Sequence, residues 1–169
     1  MAPEISFAEL YEQLLPVVYR FVSVRIPRND IEDVAAEILA KAWQAYPGYQ
    51  GNSSVKTWAL SIAYRHIADY YRALKRTPPV LPLDGSLAAE REKDDSETWL
   101  TRLSVGQALS RLSTPQVAAI QLRIVEGYSA AEAAVILGVS QMAVDSLLYR
   151  AKKSFRTSYQ TPAGGEQHG

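Results

Sequence analysis

Apolar residues recur at steps of three and four through most of the chain, the period of helices that bury one stripe. In Ser6 to Arg25 the stripe is Phe7, Leu10, Leu14, Val17, Val18, Phe21 and Val22, and Ser6 with Glu9 has capping-box spacing. Pro16 interrupts this pattern. It lacks the N–H that would bond the previous turn, so a kink or break is expected near Leu15. Beyond Pro27 a second helix is predicted, with Asn29 as N-cap and Glu32 at the third helical position. Its stripe is Ile31, Val34, Ala35, Ile38, Leu39, Ala42 and Trp43. Asp33, Glu37, Lys41 and Gln44 fall outward, with Glu37 and Lys41 at the favourable i,i+4 spacing. On the pattern alone this acidic face reads as a solvated surface.

Tyr46 to Ser54 is a loop by its one Pro, two Gly, Asn and two Ser. Its tyrosines and polar tip suit a pocket for an extruded base, and a plain surface turn equally well. Lys56 to Arg76 then runs without Gly or Pro. Ala59, Ile62, Ala63, Ile67, Tyr70 and Leu74 share one arc, while Trp58, Arg65, Asp69, Arg72 and Arg76 share the other. Five cations against one anion, with an aromatic among them, is what single-stranded nucleic acid requires: charge for phosphates and a π-face for unstacked bases. A solvated helix with a core Trp has the same pattern, and both readings stay open here.

Residues 77–97 hold three prolines, a glycine and the acidic run Glu90 to Glu97, which marks a domain boundary. The expected division is a first domain over 1–76, an acidic linker over 77–98, a second domain over 99–159 and a frayed tail over 160–169. In the second half Leu100, Leu103, Ala108, Leu109 and Leu112 form an apolar face, and Ser113-Thr114-Pro115 caps the next helix. Ala118, Ala119, Leu122 and Val125 point inward before a stop at Gly127. Ser129 and Glu132 form another capping box, and Gly138-Val139-Ser140 turns into a helix from Gln141 to Arg156. Ala134, Leu137, Val139, Val144 and Leu147 sit where a helix-turn-helix packs its two helices. No strand of convincing length appears, so the expected fold is all-α, two small helical domains joined by a flexible acidic linker.

Bulk charge is uninformative, with 18 basic and 18 acidic residues. Its distribution is not: cations gather in 56–76 and again at Arg150, Lys152, Lys153 and Arg156, on either side of the acidic stretch. The absence of cysteine excludes disulfides and thiolate metal sites, and His66 and His168 are too few for a histidine cluster. His66 falls toward the apolar arc and reads as a packed core-edge residue. There is no signal-like N-terminus and no apolar run of about 18 residues, so a cytoplasmic protein without membrane insertion is expected. No nucleophile–base set or phosphate loop stands out. An enzyme, a cofactor, a metal and a small-molecule substrate are therefore not expected.

Together these segments resemble the bacterial RNA polymerase sigma factors of the extracytoplasmic-function group. The likeness is carried by Ile31 to Trp43, Tyr49-Gln50-Gly51, Lys56-Thr57-Trp58, Ile62-Ala63, Asp69 and Arg72 in the first half. In the second it is carried by Ala108 to Leu112, Val125 to Ser129, Glu132, Ala134, Ile136 to Ser140, Val144, Ser146 and Arg150-Ala151. The resemblance implies that Asp33, Glu37 and Gln44 dock on the β′ clamp helices of core polymerase, with the β subunit a further contact. It implies that Tyr49, Asn52, Ser53, Ser54, Lys56, Trp58, Arg65, Arg72 and Arg76 hold the melted −10 element. The linker would lie in the polymerase channel. Gln141, Met142, Asp145, Ser146, Tyr149, Arg150 and Lys153 would meet the −35 element, and an anti-sigma factor would be a further partner.

The chain departs from the family pattern at Ala36, where Gln is usual, and at Arg65, which replaces a common Asn. The family's Thr-Val-Lys-Ser-Arg is here Ala143-Val-Asp-Ser-Leu147, which removes two cations and adds an anion. Each lost phosphate contact lowers the salt slope by about one, although Asp145 can accept from a cytosine amino group. Those two residues raise a second reading, a sigma-like decoy that sequesters an anti-sigma factor without promoter contact. A free-standing repressor is a third.

Overall fold

The computed structural model describes residues 4–74, 107–108 and 111–160, with side chains through 157. Arg76, the expected linker over 77–98 and the tail beyond 160 lie outside the described residues. Six α-helices are found among those described: α1 (Phe7–Ser23), α2 (Ile31–Ala45), α3 (Val55–Leu74), α4 (Thr114–Ile120), α5 (Ala130–Leu137) and α6 (Gln141–Gln160). No strand occurs among them, and no single helix is long and apolar enough to cross a membrane.

In α1 the Ser6 hydroxyl accepts from the Glu9 amide, and the Glu9 carboxylate accepts from the Ser6 amide at 2.8 Å. Those bonds satisfy two of the donors that a helix start leaves unpaired. Of the kink or break expected near Leu15, the break does not occur, and α1 runs from Phe7 to Ser23 with Pro16 inside it. The proline is exposed, and so is Glu12, the residue whose carbonyl loses its helical partner. Leu10, Leu14, Val18, Phe21 and Val22 are buried on both sides of it. Each such side chain contributes roughly 1.5–3 kcal/mol by leaving water, enough to outweigh one missing bond.

Asn29 is not the cap of α2. A single 3-10 turn, Arg28–Asp30, occupies the entry, and Asp30 precedes the helix without a side-chain capping bond. The Asp30 carboxylate instead accepts from the Tyr70 hydroxyl at 2.6 Å, a tertiary contact that overrides the local one. Trp43 also leaves its expected stripe, being 39% exposed and edge-on to Phe7 at 5.4 Å.

The buried arc of α3 is wider than one stripe: Thr57, Ala59, Leu60, Ser61, Ala63, Ile67 and Tyr71. The cause is packing, because α3 is held by α1 and α2 and also carries α5 of the second half. Leu74, expected on that arc, is exposed at the helix end. One apolar core therefore passes through both halves, from Leu14, Phe21 and Leu60 to Leu122, Ala133 and Ile136. A smaller cluster of Leu112, Val117 and Ala151 ties α4 to α6.

α4 opens on a Ser113–Gln116 capping box and runs on into one π-helical turn, Gln121–Val125. Val125 is exposed rather than inward, because this turn carries it past the buried Leu122. α5 begins on the Ser129–Glu132 box and ends at Gly138, whose φ of +68° is a left-handed conformation that side chains disfavour. There the amides of Gly138 and Val139 return to the carbonyls of Val135 and Ala134, the closure of a glycine-capped helix. Ala134, Leu137 and Val144 are buried and Leu147 half-buried, as helix-turn-helix packing requires. Val139 is the exception at 40% exposed.

Candidate nucleic-acid and polymerase interface

Three exposed faces carry the residues singled out by sequence. On α2, Asp33, Glu37 and Gln44 are all exposed. Glu37 does not stand alone. Its carboxylate lies 2.8 Å from His66 Nε2 on α3, and Lys41 Nζ lies 2.7 Å from His66 Nδ1. An ammonium can only donate, so in this arrangement Nδ1 accepts from Lys41 and Nε2 faces the Glu37 carboxylate as a donor. The expected direct Glu37–Lys41 pair is thus replaced by a chain through a histidine that is 11% exposed.

The second face surrounds the start of α3. Tyr46 is buried and stacks on Tyr49 at 5.8 Å, and Trp58 closes the cluster at 5.1 Å from Tyr49 and 6.2 Å from Tyr46. The Tyr49 hydroxyl donates to the Ser53 carbonyl, and Gly51 turns the loop at a φ of +76°. The Ser54 hydroxyl caps α3 by accepting from the Thr57 amide at 3.1 Å and also lies 3.0 Å from the Thr57 hydroxyl. Its bonding capacity is therefore largely used within the fold, while Asn52 is exposed and Ser53 half-buried. Tyr49 and Trp58 are both half-buried. Lys56, Arg65 and Arg72 are exposed. Arg72 pairs with Asp69 at 2.9 Å one turn back, a solvated i,i+3 pair of little energetic weight. Arg65 has no such partner among the described residues.

The third face belongs to α6. Its first turn is capped by the Ser140 hydroxyl, which accepts from the Ala143 amide at 3.1 Å. Met142, Asp145, Ser146, Tyr149 and Lys153 follow at three- and four-residue steps and are exposed, flanked by the exposed Gln141 and Arg150. Val144 and Ala151 point the other way and are fully buried. Leu147 packs against the core from this buried side, so the departure there lies off the open face, whereas Asp145 lies on it.

Sequence reasoning missed Arg25 and Gln121. Both are 4% exposed, and the Arg25 Nη2 donates to the Gln121 Oε1 at 3.0 Å across the two halves. The only trace in the sequence is a cation between Val24 and Ile26 beside a proline.

A helical pair of domains, one with an aromatic-lined loop at a basic helix and one with a helix-turn-helix, defines a class of DNA-binding proteins. The comparisons narrow it. Residues 10–77 match the Sigma-70 region 2 family and residues 102–155 the Sigma-70 region 4 family. The ECF RNA polymerase sigma factor SigL of Mycobacterium tuberculosis is 30% identical over 156 residues, covering 89% of this chain and 87% of SigL. The ECF sigma-E factor of Escherichia coli is 29% identical over 85% of this chain and 81% of its own length. SigG of Mycobacterium tuberculosis is 33% identical over 76% of this chain, which spans only 42% of SigG. In fold, the chain is similar to RpoE in complex with the anti-sigma factor NepR from Bartonella quintana, with TM-score 0.64, 21% identity, and 90% and 95% of the two chains covered. It is also similar to CnrH in complex with the cytosolic domain of CnrY, with TM-score 0.60, 23% identity, and 89% and 85% covered. The chain belongs to the ECF RNA polymerase sigma factors.

Proposed function

We propose that this chain is an alternative sigma factor that binds core RNA polymerase, recognises −35 and −10 promoter elements and melts DNA to start transcription of a specific regulon. The observation that carries the proposal is the coexistence of two separate open surfaces, the Tyr49–Trp58 cluster with its cations and the Met142–Lys153 face of α6. The first domain, 1–76, would place Asp33, Glu37 and Gln44 against the β′ clamp helices. The loop from Tyr49 through Asn52, Ser53 and Ser54 would take an extruded base, with Lys56, Trp58, Arg65, Arg72 and Arg76 along the strand. Stacking on an aromatic ring contributes about 1–3 kcal/mol per base, comparable with the few kcal/mol that unstacking costs. Captured bases therefore offset melting without ATP.

The second domain, 99–159, would insert the start of α6 into the major groove, reading bases through Gln141, Met142, Asp145 and Ser146. Tyr149, Arg150 and Lys153, with Lys152 and Arg156, would fix its register on phosphates. The segment 77–98 would join the domains through the polymerase channel. An anti-sigma factor is proposed as a further partner, by analogy with the complex formed by RpoE. The decoy reading is favoured only by the exposed Asp145 on the open face.

Run-off transcription with core polymerase on a library of promoter fragments tests the proposal. Promoter-dependent initiation is expected. No initiation on any template, together with capture of an anti-sigma protein but never core, would replace it with the decoy.

A further inference from the structure

Glu37 is exposed on the acidic face of α2, and four residues later stands Lys41, the one basic residue of that helix. With Glu on the N-terminal side, this i,i+4 spacing favours a direct ion pair. Such a pair would cancel the charge that a cationic partner needs, and the partner would have to displace the ammonium first. A residue of another helix intervenes. Lys41 Nζ is drawn to His66 Nδ1 at 2.7 Å, and His66 Nε2 faces Glu37 Oε2 at 2.8 Å. The His66 side chain is 11% exposed against 61% for Glu37, so the ring is the fixed member and the carboxylate stays open to a partner. One turn along α3, the Tyr70 hydroxyl donates to Asp30 beside the start of α2, which pins the same seam a second time. A neutral imidazole accepts at one nitrogen and donates at the other. Its N–H restrains the carboxylate without cancelling its charge, whereas an ammonium in that place would do both. Held in advance, Glu37 also loses less freedom when a partner arrives.

We propose that His66 is a positioning residue for the contact with core polymerase: it presents Glu37 as an unneutralised carboxylate and keeps Lys41 from pairing with it. The proposal rests on the reading of Asp33, Glu37 and Gln44 as the docking face, and the partner surface it fits is cationic. Asp33 lies one turn before Glu37 with Glu32 beside it, and all three are exposed. His66 itself touches no partner. It acts through the two side chains of α2 that it separates, and it decides whether the acidic face keeps or loses its most central charge.

The test is the affinity of the full chain for core polymerase at low salt, with the melting temperature of each variant as the control for folding. E37Q should weaken binding by about 10-fold or more, as loss of a close interfacial charge pair does. H66L frees Lys41 to pair with Glu37 and should weaken binding by about 2- to 5-fold, the weight of a surface charge pair. H66Q should bind like wild type, because a glutamine amide offers an acceptor to Lys41 and a donor to Glu37. H66L/K41Q removes the competing ammonium and should recover most of the loss, whereas K41Q alone should change affinity much less. H66L added to E37Q should cost nothing more. A wild-type affinity in a folded H66L, beside a weakened E37Q, would overturn the proposal alone. So would a loss that K41Q does not reverse or that H66Q shares in full. Nitrogen-15 spectra of the imidazoles judge the free protein, in which His168 is the only other histidine. His66 should show Nδ1 bare and Nε2 protonated, and a ring averaged between tautomers would overturn the proposal whatever core does. An E37Q that binds core like wild type would overturn the docking assignment of this face and the proposal with it. A wild-type chain that never binds core would fell the sigma-factor reading itself, and both with it.

Discussion

Asp145 is the one anion on the open face of α6, one turn after Met142 and one turn before Tyr149, and it makes no hydrogen bond or ion pair among the described residues. Replacing it by lysine should leave the fold intact, because exposed, unpartnered positions shift stability by no more than about 0.5 kcal/mol. If this face meets DNA, D145K adds one phosphate contact. The slope of log affinity against log salt then steepens by about 0.9. Between 50 and 200 mM salt the advantage of the variant over wild type should therefore shrink by about 3.5-fold. Fluorescence anisotropy of the holoenzyme on labelled duplex, measured at several salt concentrations, reads this directly. The contribution of core polymerase cancels because only the difference between variants is used. E12K, the same charge change on the exposed Glu12 of α1, is the control and should leave the slope unchanged. A D145K slope equal to wild type would refute the placement of this face on DNA.

Trp58→Ala removes the ring that closes the Tyr46–Tyr49 cluster and should weaken open-complex formation by about 5- to 150-fold, the equivalent of about 1–3 kcal/mol of stacking. Permanganate footprinting of the melted strand checks this, with duplex binding through α6 unchanged. Ser129→Ala breaks the capping box at the start of α5 and should cost about 1 kcal/mol, a drop in Tm of about 2–4 °C for a chain of this size, read by calorimetry. Burial holds the phenols of Tyr64 and Tyr128 above their ordinary value of 10. The folded chain thus keeps protons on these phenols that the unfolded chain loses, and their contribution to stability falls as pH rises past 10. Tyr64→Phe should make that alkaline decline shallower in denaturant titrations followed against pH; an equally steep decline would show that Tyr64 ionises no later than in the unfolded chain.

The helix starts that follow a local rule were legible in the sequence: Ser6 with Glu9 and Ser129 with Glu132 cap as their spacing demands. Asn29 failed because Tyr70, forty positions along the chain, engages the neighbouring Asp30. The periodicity of one helix records its apolar face and not the number of neighbours on it, so the burial of Thr57 and Ser61 on α3 could not be read. The same limit hid Arg25, whose environment is assembled by residues 96 positions away. At the candidate site, residue types and exposure on α6 matched their pattern. The roles of Ser54 and Glu37, by contrast, depend on hydrogen bonds that residue spacing does not reveal.

The link from Lys41 through His66 to Glu37 has a mechanical consequence. It staples the outer edge of α2 to the middle of α3, two turns beyond Trp58. If the proposed partner grips that edge, turning α2 draws on α3, the helix that carries Trp58. Whatever seats the one surface also aims the other, as a handle aims a blade.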